Sequence, residues 1–250
     1  TTGLITSQYP KWYQPSNTTN PSFSNGAKVL CSSGDCSVIV WGDARFGGAG
    51  APSDVTNPTA GAGVISIAAN ANAFAALKAD GSVSAWGYAG FGGSNVPTDV
   101  TAPSAGAEVI SIASTGAAFA VLKEDGSVSA WGEATSGGSG VPSDVTTPSA
   151  GAEVVSIAST VGAFAVLKAD GAVSAWGSSG YGGSGVPTDV TTPSVGAEVV
   201  SIASTVYAFA VLKTDGSVSA WGDANYGGSG VPSDVTTPSA GAEVVSIAST

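Results

Sequence analysis

The sequence repeats itself with a fixed period of 45 residues. The phrase AFAVLKADGAVSAWG at 163–177 returns almost unchanged at 73–87, 118–132 and 208–222. Five tryptophans, each followed by glycine, mark the period: Trp41, Trp86, Trp131, Trp176 and Trp221. A period of 20–50 residues is the signature of a repeat architecture, in which each unit buries its apolar surface against the next. We therefore predict one tandem array at 26–250, preceded by a separate arm at 1–25.

Each copy contains three short apolar runs that predict β-strands. In one copy they cover 153–159, 163–168 and 172–176, and the last two flank Asp170-Gly171. Asp-Gly between two apolar runs indicates an antiparallel hairpin with a type I′ turn, in which both central residues have positive φ. Both faces of these runs are largely apolar, so each sheet must be covered on both sides. The simplest cover is the next copy.

The segment at 176–194 is rich in Gly, Pro, Ser and Thr, which indicates loop. It includes Pro187 and Pro193, which cannot donate to a sheet ladder. This segment carries the chain from one sheet to the next. Small antiparallel sheets packed face to face predict an all-β fold: a β-propeller-like array of three-stranded antiparallel blades, with five periods of 45 residues.

These residues resemble the repeat family of the regulator of chromosome condensation. They are most similar to its short three-stranded version in β-lactamase inhibitor protein II. The shared pattern reads VVSIAST, AFAVLKADGAVSAWG, SSGYGG and GVP in this chain, and it covers about 28–250. The resemblance implies a propeller that closes by pairing its chain ends and that binds proteins through one face without catalysis. The family's Gly-His-Ser-like segment is missing here, so its partner-binding residues cannot be carried over.

The two ends of the array differ from the interior. Residues 27–42 hold the second and third runs without a preceding V-x-x-I-A run, whereas 243–250 holds that run alone. These ends could pair and close a five-bladed ring. Alternatively the spare run meets the next molecule and gives a filament, or the chain is a piece of a longer array.

Composition argues against several function classes. The net charge of −11 and scattered cations disfavour nucleic-acid binding. The chain has no histidine, so neither a Ser-His-Asp triad nor a Cys-His pair can form, and we predict no enzyme and no cofactor. No apolar run reaches the length of a membrane helix, and no secretory leader is visible. We interpret Thr1 as a processed or trimmed end.

The cysteine pair in CSSGDC, Cys31 and Cys36, favours a disulfide across a hairpin turn in an oxidising compartment. Reduced core cysteines are the alternative, and a metal site is disfavoured because two thiols cannot complete a tetrahedral shell.

Charged positions also recur with the period. One aspartate in each VP[S/T]DV segment could contribute to a calcium site, but turn chemistry after proline is the favoured interpretation, and no metal site is predicted. These aspartates are Asp54, Asp99, Asp144, Asp189 and Asp234. The lysines that end the second run are predicted to lie near the glutamates of the next segment: Lys78, Lys123, Lys168 and Lys213, with Glu108, Glu153, Glu198 and Glu243. The five tryptophans are predicted blade-core residues.

Differences between the copies concentrate in two short stretches. One precedes the second run and reads NANA, TGAA, TVGA or TVYA; the other follows Trp-Gly and reads DARF, YAGF, EATS, SSGY or DANY. The second set ends in Phe46, Phe91, Tyr181 and Tyr226, with Ser136 in the remaining copy. In a radial array these aromatics would line one face and could stack on sugars or anchor a partner protein. The favoured interpretation is that each aromatic folds back onto the Gly-Gly pair of its own blade.

The arm contains four aromatic residues, Tyr9, Trp12, Tyr13 and Phe23, and one N-glycosylation sequon at Asn17. So many aromatics predict an arm docked on its own array or on a neighbour.

Taken together, near-identical copies, low charge, unmatched ends and this arm favour an extracellular or cell-surface structural glycoprotein. Such a protein would self-associate into a fibre or coat through its arm and end strands. The alternative function is a propeller that binds a protein or glycan through its loop face.

Overall fold

The structure is a computed structural model that describes residues 25–32 and 35–248, and these residues form an all-β array. The predictions for the arm, Asn17 included, lie outside this range. The first sheet has two antiparallel strands, and each of the next four has three. The strands are β1 Gly26–Ser32, β2 Asp35–Trp41, β3 Val64–Ala69, β4 Ala73–Lys78, β5 Val83–Gly87, β6 Val109–Ser114, β7 Ala118–Lys123, β8 Val128–Gly132, β9 Val154–Ser159, β10 Ala163–Lys168, β11 Val173–Gly177, β12 Val199–Ser204, β13 Ala208–Lys213 and β14 Val218–Gly222.

The predicted strand pattern is confirmed, because every full copy forms a three-stranded antiparallel sheet with its second strand in the centre. That central strand is buried along nearly all its length, as its two apolar faces require. The first strand of each copy lies at an edge and carries a β-bulge at its second residue. The bulged side chains Ile65, Ile110, Val155 and Val200 are all about half exposed.

The Asp-Gly hairpins form, but their predicted turn type is wrong. In the hairpin between β4 and β5, the Gly81 N–H donates to the Lys78 carbonyl, so Ala79 and Asp80 are the central residues of the turn. Gly81 follows with φ +76°, and Asp80 does not have positive φ. This is a three-residue loop with glycine in the left-handed position. The Asp80 carboxylate accepts the Ser82 N–H and hydroxyl, which explains why aspartate stands before the glycine.

The connecting segment contains two short helical turns that the sequence analysis described only as loop. A 3₁₀ turn follows each Trp-Gly at Ala44–Phe46, Ala89–Phe91, Ala134–Ser136, Ser179–Tyr181 and Ala224–Tyr226. A single α-helical turn then follows one proline of each copy, at α1 Ser53–Thr56, α2 Thr98–Thr101, α3 Ser143–Thr146, α4 Thr188–Thr191 and α5 Ser233–Thr236. The valine of α1, α2, α3 and α4 is fully buried, so this helical turn anchors the loop to the core.

The described chain divides into two compact units. The first contains the described residues up to Asp125 with Ser129–Glu133, and the second contains Gly126–Val128 and the described residues from Ala134 onward. Within each unit consecutive sheets pack on one another, as β4 does on β6 and β10 on β12. Apolar residues of neighbouring sheets share one core: Phe209 and Trp221 lie in the same buried cluster as Ala163, Ala165 and other residues of the preceding sheet.

Four of the five predicted core tryptophans, Trp86, Trp131, Trp176 and Trp221, are only 3% exposed. Trp41 is different: 48% of its surface is exposed, so its predicted core position is wrong. The first hairpin also has another register, because Trp41 lies opposite Gly26, whereas Trp86 lies opposite Phe74. No strand of an earlier sheet covers Trp41 in the described part of the chain.

The prediction of a strand at 243–250 also differs from the structure. Residues 242–248 form no strand, and residues 249–250 lie outside the described range. A strand needs a neighbour for its backbone groups, and the V-x-x-I-A run here has no ladder partner among the described residues.

Cys31 and Cys36 form the predicted disulfide and face each other directly in the register of β1 and β2. Among the described residues, no helix is long and apolar enough to cross a membrane, and no three metal-ligating side chains gather in one place.

Candidate functional site

The two stretches in which the copies differ lie side by side within each copy. The backbone N–H after Trp-Gly donates to a carbonyl in the turn before the central strand. Ser178 donates to Gly162 at 2.8 Å, and Asp223 donates to Tyr207 at 3.0 Å. Tyr88 donates to Asn72 at 2.8 Å in the first unit. We call each pair of joined turns a two-turn patch: residues 70–73 with 88–91 in the first unit, and residues 160–163 with 178–181 and 205–208 with 223–226 in the second.

In three copies, a polar side chain donates a hydrogen bond to the backbone carbonyl of the aromatic residue. The Thr160 hydroxyl donates to the Tyr181 carbonyl at 2.9 Å, and the Thr205 hydroxyl donates to the Tyr226 carbonyl at 3.0 Å. Asn70 performs this role in the first unit by donating to the Phe91 carbonyl at 2.6 Å. Hydrogen bonds therefore join the two turns, while their side chains vary from copy to copy.

Within each unit, the turns before the central strands of neighbouring copies are also joined. The Val161 N–H donates to the Val206 carbonyl at 2.9 Å in the second unit, and the Ala71 N–H donates to the Gly116 carbonyl at 3.2 Å in the first. Turns that differ between copies therefore lie next to one another within each unit.

Three tyrosines come together on the patches of the second unit. The ring centroids of Tyr181 and Tyr207 are 4.9 Å apart, and those of Tyr207 and Tyr226 are 4.5 Å apart in an edge-to-face arrangement. Tyr181 is 36% exposed and Tyr226 is 49% exposed. The Tyr181 ring lies over Gly162, where a Cβ would stand 2.6 Å from the ring, so the small residue at 162 gives the ring its place. We call Tyr181, Tyr207 and Tyr226 the tyrosine cluster.

The other two aromatics predicted for a partner face lie in separate local contacts. Phe91 packs edge-to-face against Tyr88 at 5.4 Å, and Tyr88 is exposed. Phe46 lies beneath the guanidinium of Arg45 at 5.2 Å. Side-chain hydrogen bonding from Arg45, followed by its backbone N–H, lowers the pKa of the Asp43 carboxyl to about 2. The structure thus joins Tyr181 and Tyr226 through Tyr207, and it gives Phe46 and Phe91 their own neighbours.

Sequence analysis missed Tyr207 and Tyr88 as site residues, although both fall in the stretches that differ between copies. For Tyr207 the signal was its own stretch, TVYA. The corresponding stretches of the other three copies have a non-aromatic residue at the third position. The sequence does not show that the turn before the central strand contacts the turn after Trp-Gly. The hairpin of the second and third strands brings these two turns together.

The periodic aspartates and lysines form structural contacts. Lys168 Nζ donates to Asp144 Oδ2 at 2.8 Å, and the Ser174 hydroxyl donates to the same oxygen at 2.7 Å. Three more triads have the same spacing: Asp54 with Lys78 and Ser84, Asp99 with Lys123 and Ser129, and Asp189 with Lys213 and Ser219. The predicted pairing of these lysines with glutamates is therefore wrong. The Glu153 and Glu198 carboxylates accept instead the Gly151 and Gly196 N–H groups.

The triads tie each α-helical turn to the next sheet. The lysine side chains are about nine-tenths buried, while the aspartates remain half exposed. Burial raises the pKa of Asp144, but hydrogen bonds from Lys168 and Ser174 and the lysine charge outweigh it, so the pKa is lowered. The pKa values of Asp54, Asp99 and Asp189 are lowered by the same balance.

The tyrosine cluster has the chemistry of a recognition site. Tyrosine offers a large rigid apolar surface with a hydroxyl at its tip, and such residues are enriched where proteins contact partners. The cluster presents three such rings on a hydrogen-bonded scaffold.

Comparison with solved structures identifies the fold. The chain is similar to Prp20p from Saccharomyces cerevisiae, a structure determined together with binding to Gsp1p and histones, with 21% identity, TM-score 0.52 and coverage of 85% of this chain and 59% of that one. It is also similar to yeast RCC1 (Prp20) bound to Kap60, with 22% identity, TM-score 0.51 and coverage of 85% and 57%. Human WBSCR16 matches at 20% identity with TM-score 0.49, over 78% of this chain and 59% of that chain.

These similarities show that the chain has the repeat fold of the regulator of chromosome condensation, a propeller-like array, as the sequence predicts. The chain spans less than two thirds of the length of these proteins. No protein-family model and no curated protein match it.

Proposed function

We propose that this chain is a protein-binding module and that the tyrosine cluster of its second unit anchors the partner. The observation that supports the proposal is where the residues that differ between copies lie. Most of them fall in two turns that a backbone hydrogen bond joins, and three tyrosine rings meet at these turns in the second unit.

The residues that the copies share stabilise the fold, and the residues that differ between copies lie where a partner could be recognised. Buried tryptophans, glycines and Asp–Lys–Ser triads recur in nearly every copy, as expected of residues that hold the array together. Substitutions concentrated in turns that hydrogen bonds join to the array change what these turns contact without altering the fold. Binding sites are commonly built on loops that a rigid scaffold positions.

The proteins of similar fold support a protein rather than a small molecule as the partner. Prp20p binds Gsp1p and histones, and yeast RCC1 binds Kap60. The cluster itself has the aromatic character of an interface anchor, where truncation of one tyrosine often costs more than about 1 kcal/mol of binding free energy. We propose that this chain acts by binding and not by catalysis.

The test uses the triple variant Tyr181→Ala, Tyr207→Ala and Tyr226→Ala. The matched control is Tyr88→Ala, which removes an equally exposed tyrosine from the first unit. Cross-linking followed by quantitative mass spectrometry on extract of the source cells should show a partner that wild type and control retain. The triple variant should lose that partner at least about tenfold.

Equal retention by the triple variant would overturn the proposal, provided that circular dichroism shows the same folded array. Retention of oligosaccharides from a glycan array, with no protein retained, would also overturn it.

The extracellular location and the modification of Asn17 remain our proposals from sequence. Mass analysis of the protein purified from its source tests both, because N-glycosylation at Asn17 requires the secretory route.

A further inference from the structure

The first 3₁₀ turn of the array holds an arginine against a carboxylate and an aromatic ring. The Arg45 guanidinium donates to Asp43, from Nε to Oδ1 at 3.1 Å and from Nη2 to Oδ2 at 2.6 Å. The same guanidinium lies 5.2 Å from the centroid of the Phe46 ring. The aspartate and the ring therefore bind one guanidinium through a charged hydrogen-bonded pair and a cation–π contact together.

The last copy has the same turn without an arginine. The counterparts of Asp43, Arg45 and Phe46, four periods later, are Asp223, Asn225 and Tyr226. The backbone is nearly identical, with φ and ψ of −73° and 125° at Asp43 and of −69° and 123° at Asp223. In both turns the aspartate Oδ1 accepts the N–H two residues later, at 2.9 Å and 2.8 Å. The last copy thus keeps the carboxylate and an aromatic residue, while a shorter neutral amide replaces the guanidinium.

One oxygen of the Asp223 carboxylate is left for a further donor. The Asn225 N–H and Nδ2 both donate to Asp223 Oδ1, at 2.8 Å and 3.2 Å, and no described residue donates to Oδ2. In the first copy the corresponding Oδ2 of Asp43 accepts the Arg45 guanidinium. A carboxylate oxygen can therefore accept a guanidinium from outside the chain at the place where the first copy accepts its own.

The chain offers few cations for this place. Arg45 is the only arginine of the sequence, and residues 126–250 contain two lysines, Lys168 and Lys213. Both lysine side chains are about nine-tenths buried in their pairs with Asp144 and Asp189. Exposed carboxylates of the second unit are therefore not balanced by an exposed lysine or arginine of that unit, which favours a positively charged partner.

The exposure of this turn is not special to the last copy. Tyr88, the counterpart of Asp223 in the copy of β3–β5, is 48% exposed although the sheet of β6–β8 follows it. Tyr181, the counterpart of Tyr226, is 36% exposed although the next sheet follows and Tyr207 packs against it. Side chains at these two positions therefore remain accessible in copies that have a following sheet.

We propose that Asp223 and Tyr226 bind an arginine side chain of the partner protein, in the arrangement that Arg45 adopts in the first copy. The guanidinium donates to Asp223 Oδ2 and lies on the Tyr226 ring. Tyr207, whose ring centroid is 4.5 Å from that of Tyr226, extends the aromatic surface for the residues beside the arginine. The inference rests on the proposed function and names what the tyrosine cluster recognises. Arginine suits the place better than lysine, because its planar guanidinium can bond a carboxylate and lie on a ring at once.

A pair of short peptides tests the charge that the site requires. The probe is an acetylated and amidated pentapeptide with one arginine between glycines, and its match carries citrulline, which has the same shape without the charge. In an NMR titration of the full chain at low ionic strength, the arginine peptide should shift the amide resonances of residues 223–227. The citrulline peptide should bind at least about tenfold more weakly. Equal binding of both peptides, or no shift at 223–227, would overturn the proposal.

Two variants test the residues. Asp223→Asn removes the charge but keeps an oxygen that can accept the Asn225 N–H, and Asn225→Arg supplies a guanidinium from the chain itself. Each should weaken binding of the arginine peptide at least about tenfold. Asp234→Asn makes the same charge change at an exposed aspartate of the second unit and should bind like the wild type. Unchanged affinity in either Asp223→Asn or Asn225→Arg, with a folded array by circular dichroism, contradicts the arginine site.

These variants keep all three tyrosines, so they separate this inference from the proposed function. A partner that the triple tyrosine variant loses, but that Asp223→Asn and Asn225→Arg retain, would overturn the arginine site and support the tyrosine cluster as an anchor. Retention of the partner by the triple variant would instead overturn the proposed function, while the peptide titration decides the arginine site independently.

Discussion

Trp176 and Trp41 occupy the same place in the repeat, and the structure treats them differently. Trp176 is 3% exposed, stacks on Phe164 at 5.2 Å and donates to the Gly137 carbonyl at 2.9 Å. Trp41 lies opposite Gly26 and leaves nearly half of its surface exposed. An identical Trp-Gly dipeptide therefore does not determine burial. The neighbouring repeat determines it, as expected of an array whose units are stabilised mainly by their interfaces.

The largest expected effect comes from comparing the same truncation at both tryptophans. Trp176→Ala should lower the free energy of unfolding by about 3–5 kcal/mol, because it leaves a cavity between Phe164 and Gly137. Trp41→Ala should lower it by about 1 kcal/mol or less, because the ring is half exposed.

Urea unfolding followed by tryptophan fluorescence measures both values, in protein dilute enough to exclude self-association. Similar losses at both positions would mean that Trp41 is buried in solution, which would contradict the difference between interior and first sheet.

The corresponding comparison at two glycines that end 3₁₀ turns, Gly182 and Gly227, should give the next largest effect. Gly182→Ala and Gly227→Ala introduce a Cβ at nearly the same positive φ, so both should lose about 1–2 kcal/mol from backbone strain. Only the alanine at 182 would also clash with Phe209, which should add about 1–3 kcal/mol.

The difference between the two glycine variants isolates the packing of one sheet on the next, because the backbone cost cancels. Thermal unfolding in dilute solution measures it. Equal losses at both glycines would show that backbone conformation alone requires glycine and that the contact between Gly182 and Phe209 adds nothing.

How much of this could be predicted from sequence depends on whether a feature is local. The strand-forming runs and the Asp-Gly hairpins are properties of one repeat, and their prediction is confirmed. The turn type was wrong because Ala79 and Asp80 form the turn while Gly81 alone takes positive φ, a choice that the letters Asp-Gly do not reveal. The cysteine pair was found from spacing alone.

Features that need two repeats, or two distant turns of one repeat, were out of reach. The lysine of one copy pairs with an aspartate 24 residues earlier, and the glutamates that were predicted to lie near the lysines accept backbone N–H groups instead. Exposure of Trp41 likewise follows from what packs beside it. For the candidate site, comparing copies found the two variable stretches. Only the fold shows that they meet and that Tyr207 joins Tyr181 to Tyr226.

The smallest expected effect distinguishes an interior triad from its counterpart at the last sheet. Asp144 holds Lys168 and Ser174, whereas Asp234 has no lysine partner among the described residues. Asp144→Asn should lower the free energy of unfolding by up to about 1 kcal/mol, since the carboxylate is half exposed and solvent screens the pair. Asp234→Asn should have no measurable effect.

The pH dependence sharpens this prediction. The pKa of Asp144 is lower in the folded chain than in the unfolded chain, where the Asp144 carboxyl has the ordinary aspartate pKa of about 4. The unfolded state therefore binds the proton more readily, so the triad stabilises the fold above about pH 4 and this contribution is lost as the pH falls through the folded pKa. The difference in stability between wild type and Asp144→Asn should shrink from pH 7 towards pH 3. A difference that stays constant over this range would show that Asp144 acts through hydrogen bonds that survive protonation, and not through the charge of its pair with Lys168.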